Sequence, residues 1–483
     1  MSSTSPSATR SSGRWLALGL IAAAQFMVIM DTSIIGVALP EIQQDLGFTP
    51  QGLSWVFNAY VVAFGGLLLL GGRLSDLLGA RRVFSTGWLV LAAGSLVAGA
   101  AGSPAVELAG RAAQGAGSAL IAPAALTLLF TIFGATPPEL TKALAVYGAA
   151  APAGGTAGVF LGGVLTQFAS WPWVFFINVP LAAAVVALTP KVMPAGAARR
   201  GSVDVAGATT ITLGLGAIVF AVVRAPQAGW TSASTLVAGL VGLGLVGVFV
   251  VLQARTREPL VRLGIFKAPN LAAANAAQFL LGAAWIPMFF FVNLYLQHVL
   301  GLGAFASGAA LLPLTVTIMV GMVTVAPRLI ARFGPKALTV GGLATLAAGL
   351  TWLSLIRADG SFVYDVLPAT LVTAAGMAMA FIPSLGLALS SAAPEEAGLA
   401  AGIVNTNYQI GSALGLAAMT AVAAAFGSDG PSTDLVGLTE GYSAALIGAA
   451  AIAAVGAVVA AAWLRTPPTQ TPAEVVADQH LAA

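Results

Sequence analysis

Between residues 15 and 464 the chain is a succession of apolar runs joined by short polar turns. A helix needs about 20 apolar residues to cross the hydrocarbon core of a bilayer. Fourteen runs reach that length, near 15–39, 53–72, 83–103, 105–133, 142–168, 172–190, 204–224, 232–253, 269–297, 305–327, 337–356, 364–390, 398–426 and 441–464. Only helices satisfy their own backbone groups over such lengths, because a barrel strand uses about ten alternating residues instead. The pattern predicts an all-α integral membrane protein with fourteen transmembrane helices. Composition excludes a soluble fold: charged residues are 8% of the 483 positions and hydrophobic residues 58%, against about 25% charge in soluble domains.

Lys and Arg orient the spans. With the N-terminus inside, 17 of the 20 basic residues face the cytoplasm, among them Arg10, Arg14, Arg73, Arg81, Arg82, Arg199, Arg200, Arg328 and Lys336. An odd number of spans scrambles that bias, so both termini are expected in the cytoplasm of a cell whose plasma membrane holds the protein. The net charge of +3 follows from these loops and gives no reason to expect nucleic acid. The polar start "MSSTSPSATRSSGRW" precedes a run too long for a signal-peptide core, so the first run reads as an uncleaved span. There is no cysteine, and two histidines are too few for a histidine metal site. No GxxxxGK[ST] loop and no dinucleotide fingerprint occur. The expectation is a non-enzyme that needs no cofactor.

The joint "GRLSDLLGARRV" (72–83) has a counterpart about 255 residues later, "PRLIARFGPKAL" (327–338), in which Leu74, Gly79 and Arg81 match Leu329, Gly334 and Lys336. Gly158 and Gly162 in the fifth run parallel Gly411 and Gly415 in the thirteenth. Two pseudo-symmetric six-helix bundles related in this way are a transporter signature. The expected division is a tail (1–14), a first bundle (15–190), a linker bearing two inserted helices (191–268), a second bundle (269–464) and a tail (465–483).

Asp31 interrupts the first run, in "VIMDTSIIGVALP". A carboxylate near mid-bilayer costs roughly 2.5–3.5 kcal/mol even on lenient scales, and such acids usually mark ion or proton pathways. It is expected to face the bundle interior, where it either takes up and releases a proton as its surroundings alternate or serves as a structural carboxylate hydrogen-bonded to a neighbouring helix. Arg111, in "ELAGRAAQGAGSAL", stays charged at any relevant pH. Two readings fit it: a modulator of a carboxylate's proton affinity, or the partner of Glu107 one helical turn away. In the 72–82 joint, Gly72 and Gly79 permit tight turns, and Asp76 is placed either to cap a helix end or to pair with Arg81 or Arg82 as a latch. Gly154, Gly158 and Gly162 form a small-residue stripe, read as plain packing or as a seal between halves. Trp285, Phe289, Asn293, Asn405 and Gln409 fit two readings, lipid-facing side chains or the outline of a wide, apolar, sparsely polar cavity suited to lipophilic organic compounds.

Together, "MDTSIIGVALPEI", "GGRLSDLLGARRV", "GRAAQGAG", "GVFLGG" and "WPWVFFINVP" resemble the major facilitator superfamily, in particular its fourteen-helix drug:proton antiporter group, over residues 15–464. The resemblance implies an alternating-access fold and proton-driven efflux of drugs by a bacterial membrane protein acting as a monomer. It implies that Asp31 is the proton site, that Arg111 modulates coupling, that Gly72, Asp76, Gly79 and Arg81 form the gating loop, and that Gly158, Gly162 and Gly163 belong to the antiporter motif. Departures are Leu77 and Ala80 in the loop, Val159 after Gly158, and Pro172 between two tryptophans. A proton-coupled importer of a small metabolite is the alternative, and it needs a more polar cavity than these residues supply.

Overall fold

The computed structural model describes residues 7–133, 137–195, 204–256, 259–391, 397–428 and 434–465. The apolar runs fold as α1 (Ser7–Leu46), α2 (Pro50–Leu78), α3 (Ala80–Gly99), α4 (Pro104–Phe133) and α5 (Pro137–Phe168). A short α6 (Trp173–Phe176) leads into α7 (Asn178–Val192), and α8 (Val205–Ala228) and α9 (Ala233–Arg255) follow. The remainder comprises α10 (Leu271–Leu294), α11 (Ala304–Ala310), α12 (Leu312–Val320), α13 (Ala326–Leu353), α14 (Leu367–Ser391), α15 (Ala397–Ala423) and α16 (Leu435–Trp463). Side chains mark several starts. Thr49, Asp204, Ser232 and Asp434 accept from backbone amides of α2, α8, α9 and α16, satisfying donors that the helix itself leaves free.

Thirteen helical stretches are long and apolar enough to cross a membrane, and one of them, Phe305–Leu353, runs for 49 residues. At ~1.5 Å per residue that is more than twice a bilayer. Gly334, at φ 79° and ψ 160°, interrupts it and makes it two crossings, so the described residues contain the expected fourteen. Gly79 holds φ 88° and ψ 131° at the matching joint between α2 and α3. Such backbone angles suit glycine alone among the common residues. Arg199, Arg200, Arg257 and the tail beyond Arg465 lie outside the described residues, as do residues 1–6.

The repeat extends to packing. α1 lies along α5 as α10 lies along α15, and α3 on α4 as α13 on α14. A Cβ on Gly158 or Gly162 would sit 2.7 Å from the carbonyl of Met30 or Ile34 on α1. A Cβ on Gly154 would collide with the Phe26 carbonyl. In the other half, Gly411 and Gly415 are pressed in the same manner on the carbonyls of Phe279 and Ala283 of α10. Gly87 and Gly94 of α3 press on α4, and Gly342 and Gly349, at the same spacing from Gly334, press on α14. The 154–158–162 stripe therefore closes α5 on α1 inside one half. The face that meets the other half is the adjacent one, where Val159 and Gly163 lie against Gly308 of α11.

The halves also meet where α2 runs against α15. α8 lies over that seam, with Thr212 against Gly66 of α2, and Val61, Leu215, Val219 and Ile410 line an apolar seam there with hardly room for a water. α9 packs on α8 and exposes Leu236, Leu240 and Leu243. The hairpin is fastened at one end by Gln253, which donates to Asp204 at 2.6 Å and accepts from the Val261 amide at 2.9 Å. Basic residues gather at that same end of the bundle. There Arg14 donates to Glu139 at 2.9 Å and to the Ile132 carbonyl at 2.8 Å, tying α1 to α4 and α5.

Overpacking a close helix contact costs about 1–3 kcal/mol. Gly411→Ala is expected to lower stability by that order in detergent unfolding. Gly148→Ala, whose Cβ meets nothing within 4 Å, should leave it unchanged.

Candidate functional site

Asp31 is wholly enclosed. Four other helices of the first half reach the cluster around it, near the end remote from the basic joints. α4 supplies Arg111 and, three residues on, Gln114; α7 opens with Asn178; α3 brings Ser95; α2 brings the Val56 carbonyl. Arg111 Nη1 donates to Asp31 Oδ2 at 2.8 Å. Gln114 and Asn178 donate to Asp31 Oδ1 at 3.0 and 2.7 Å. Both amides also donate to the Ser95 hydroxyl, at 2.8 and 3.0 Å, which holds them in place. The carboxylate thus receives three donors, the condition under which a buried charge is tolerated.

The guanidinium is equally enclosed. Its Nε donates to the Val56 carbonyl at 2.8 Å, and Nη1 is shared with the Gln114 oxygen at 2.8 Å. It lies over the Tyr60 ring at 4.6 Å, with Phe175 at 5.9 Å, an arrangement that favours a cation. The Tyr60 hydroxyl donates to Ser118 at 2.8 Å, which fixes the ring.

Of the two readings of Arg111, the geometry has the guanidinium bonded to Asp31, 80 positions away in the chain. Glu107 is also fully buried, yet among the described residues neither of its carboxyl oxygens has a hydrogen-bond partner, nor does Arg111 Nη2. Its place close to a helix end makes it look peripheral in sequence. Tertiary packing around the first turn of α4 nevertheless buries it.

In the 72–82 joint, Gly72 is half-buried beside Pro123 and Gly79 makes the turn. Arg81 donates to the Met193 carbonyl at 3.2 Å, joining the loop to the end of α7. Arg82 is exposed. The side chain of Asp76 lies outside the described residues, so the expected latch does too.

Of the cavity candidates, Asn293, Phe289 and Gln409 sit at the seam, on two levels. Asn293 donates to the Gly36 carbonyl, with Phe289 packed on the same glycine. One turn on, Gln297 donates to the Val37 carbonyl at 3.1 Å. These bonds tie the second half to α1 at the end remote from the basic joints. Gln409 lies against Gly65 of α2. Trp285 is buried in α10 and Asn405 half-buried on α15. Each half also carries a polar cross-link between its paired helices: Tyr147 to Gln25 at 2.7 Å, and Asn407 to Asn275 at 2.6 Å. Gln25, Tyr147 and Ser95 are unremarked in the sequence reading because single polar residues in apolar runs carry no spacing signal.

Two repeated helical halves with a polar cluster sealed inside one of them are the architecture of a membrane transporter. The profile of the Major Facilitator Superfamily matches residues 21–416, and the chain belongs to that superfamily. It is 38% identical over 460 residues to the cephamycin export protein of Amycolatopsis lactamdurans, covering 94% of each chain. It is 36% identical over 459 residues to a puromycin resistance protein of Streptomyces alboniger, covering 92% of this chain and 90% of that one. Among solved structures, the nucleoside transporter NupG is similar in fold, with a TM-score of 0.65 at 14% identity over 93% of this chain and 99% of that one.

Removing one partner of a buried pair strands the other, at about 3–5 kcal/mol. Arg111→Leu should destabilise the protein by that order in detergent unfolding, and adding Asp31→Leu should recover much of the loss. A double-mutant cycle with no coupling between the two sites would show that the pair does not hold these helices together.

Proposed function

We propose that this chain is a proton-coupled antiporter that exports lipophilic, antibiotic-class compounds by alternating access, with the basic end and both termini in the cytoplasm. The observation that carries the reading is the enclosed Asp31–Arg111 pair at 2.8 Å. A structural ion pair has little reason to sit inside an apolar bundle, where hydrophobic side chains of similar volume do as well or better. A pair that a proton can break has a use there. Protonating Asp31 removes the charge that Arg111, Gln114 and Asn178 converge on, and so loosens α1 from α4 and α7. α1 also carries Gly36 and Val37, whose carbonyls accept from Asn293 and Gln297 of the second half. A shift of α1 is thereby felt across the seam. Those bonds cross the seam at the end opposite the basic joints, and in this scheme outward opening breaks them.

One proton crossing ~100 mV supplies ~2.3 kcal/mol, roughly a 50-fold gradient of a neutral substrate. A pH difference adds to this. For a monovalent cation exchanged one-for-one with a proton, the charges cancel and the pH difference alone drives export. The seam offers apolar surface from α2, α10 and α15 with few amides, which favours lipophilic cargo over a hydrophilic metabolite and disfavours the importer reading. Relatives named for cephamycin export and puromycin resistance support a cargo of that class. The scheme calls on no cofactor and on a single chain.

In everted membrane vesicles with an imposed pH difference, Asp31→Asn is expected to reduce pH-driven uptake of puromycin to background while sparing downhill exchange. Undiminished pH-driven uptake in that variant would sink the proposal.

A further inference from the structure

We infer that Glu107 is a second proton-carrying acid of the coupling site, and that Arg111 passes between Asp31 and Glu107 as the proton moves from one carboxyl to the other. This rests on the antiport reading above. Two unpartnered groups carry the argument. Glu107 and Arg111 stand four residues apart on α4 and therefore share a face. Both are fully buried. Neither oxygen of Glu107 has a donor, and Nη2 of Arg111 has no acceptor. Orphaned groups of opposite kind, one turn apart and out of water, are a bond that this state leaves unmade. Most buried polar groups are satisfied; Asn178 Oδ1 is also without a partner among the described residues, but Glu107 and Nη2 alone of these can meet as opposite charges, and that match calls for a second state that satisfies them.

The surroundings supply that state. Glu107 lies in the first turn of α4, where unpaired amides and the helix dipole favour a negative charge. Nη2 of Arg111 adds a cationic donor. Enclosed without that donor, and with neither oxygen accepting a bond from a described residue, its charged form is penalised. In the form described here Asp31 is the anion that holds Arg111, and Glu107 carries a proton. In the alternate form the Glu107 proton has passed to Asp31, the guanidinium has turned to Glu107, and Glu107 is the anion. One proton leaves one carboxyl and joins the other, and the net charge of the three groups stays the same. Glu107 is the group nearer the membrane face opposite the basic joints, so it reloads from that side. Asp31 releases its proton when the cycle opens the other way.

Few other ionisable groups bear on this exchange. Asp31 approaches from α1, Tyr60 from α2 lies under the guanidinium, and Arg111 shares the helix; α3 and α7 present only Ser95 and Asn178. Nearer the end of α1 stand Glu41 and Asp45, and the latter accepts from Trp171 Nε1 at 2.7 Å.

The test uses the full chain in proteoliposomes with radiolabelled puromycin as the probe. Glu107→Gln is expected to keep exchange at equal pH on both sides, to lose pH-driven flux at least tenfold, and to flatten the pH profile. Glu107→Asp, which keeps the acid, should restore part of that flux. Infrared difference spectra of wild type against Glu107→Gln should show one protonated carboxyl band missing from the variant. If Glu107→Gln keeps the wild-type flux and pH profile, or if no carboxyl band is missing, the relay is wrong while antiport stands. If the wild type itself shows no pH-driven flux, the antiport reading fails and the relay with it.

Discussion

A carboxylate and a guanidinium survive inside an apolar bundle only if each finds the other and every remaining donor finds an oxygen. Asp31 and Arg111 come close to that condition, and the requirement organises the first half of the protein. It brings Val56, Ser95, Gln114 and Asn178 to one place, and with them α2, α3, α4 and α7 around α1. It also leaves a residue of dissatisfaction, since one guanidinium nitrogen and one nearby carboxyl remain without partners. A fully satisfied network rigidifies its surroundings. An almost satisfied one is poised to exchange one partner for another.

Around that cluster the architecture is kept tight by close backbone contact. Polar glue is scarce in these helices, so packing must come from van der Waals contact. Glycines that place one helix on the carbonyls of the next serve this end in both halves. They do so at matching positions: Gly158 and Gly162 on α1, Gly411 and Gly415 on α10. The half that holds the ion pair and the half that lacks it therefore share one mechanical frame. The difference between them is chemical.

Much of this frame is legible in the sequence, because run length and basic joints report directly on bilayer thickness and loop position. The turn at Gly334 is an instance: the repeated joint marks it, although helix continues on both sides. Asp31 stands out for the same reason, as a charge where hydrocarbon is expected. Its surroundings are harder to read. Asn178 and Ser95 are single polar residues in separate runs, and no periodicity links them to a carboxylate some 147 or 64 positions away. The glycine stripe on α5 has spacing that predicts close approach but does not name the partner, which turns out to be α1 of the same half. Glu107 is the clearest gap between sequence and structure. Proximity to a helix end suggests water, and tertiary packing removes it.

The inserted hairpin gives the molecule unequal flanks. α8 lies over the α2–α15 seam, so Leu215 and Val219 stand beside Val61 and Ile410 in positions where acyl chains would otherwise reach. α9 then turns a nearly continuous apolar surface to the surroundings. On the opposite flank α5 meets α11 and α12, and the aromatic rings of Phe160, Phe168 and Phe305 crowd the contact. The two flanks are thus sealed by different means, one by a helix laid over the seam and the other by backbone pressed on backbone with three partly exposed rings at its rim.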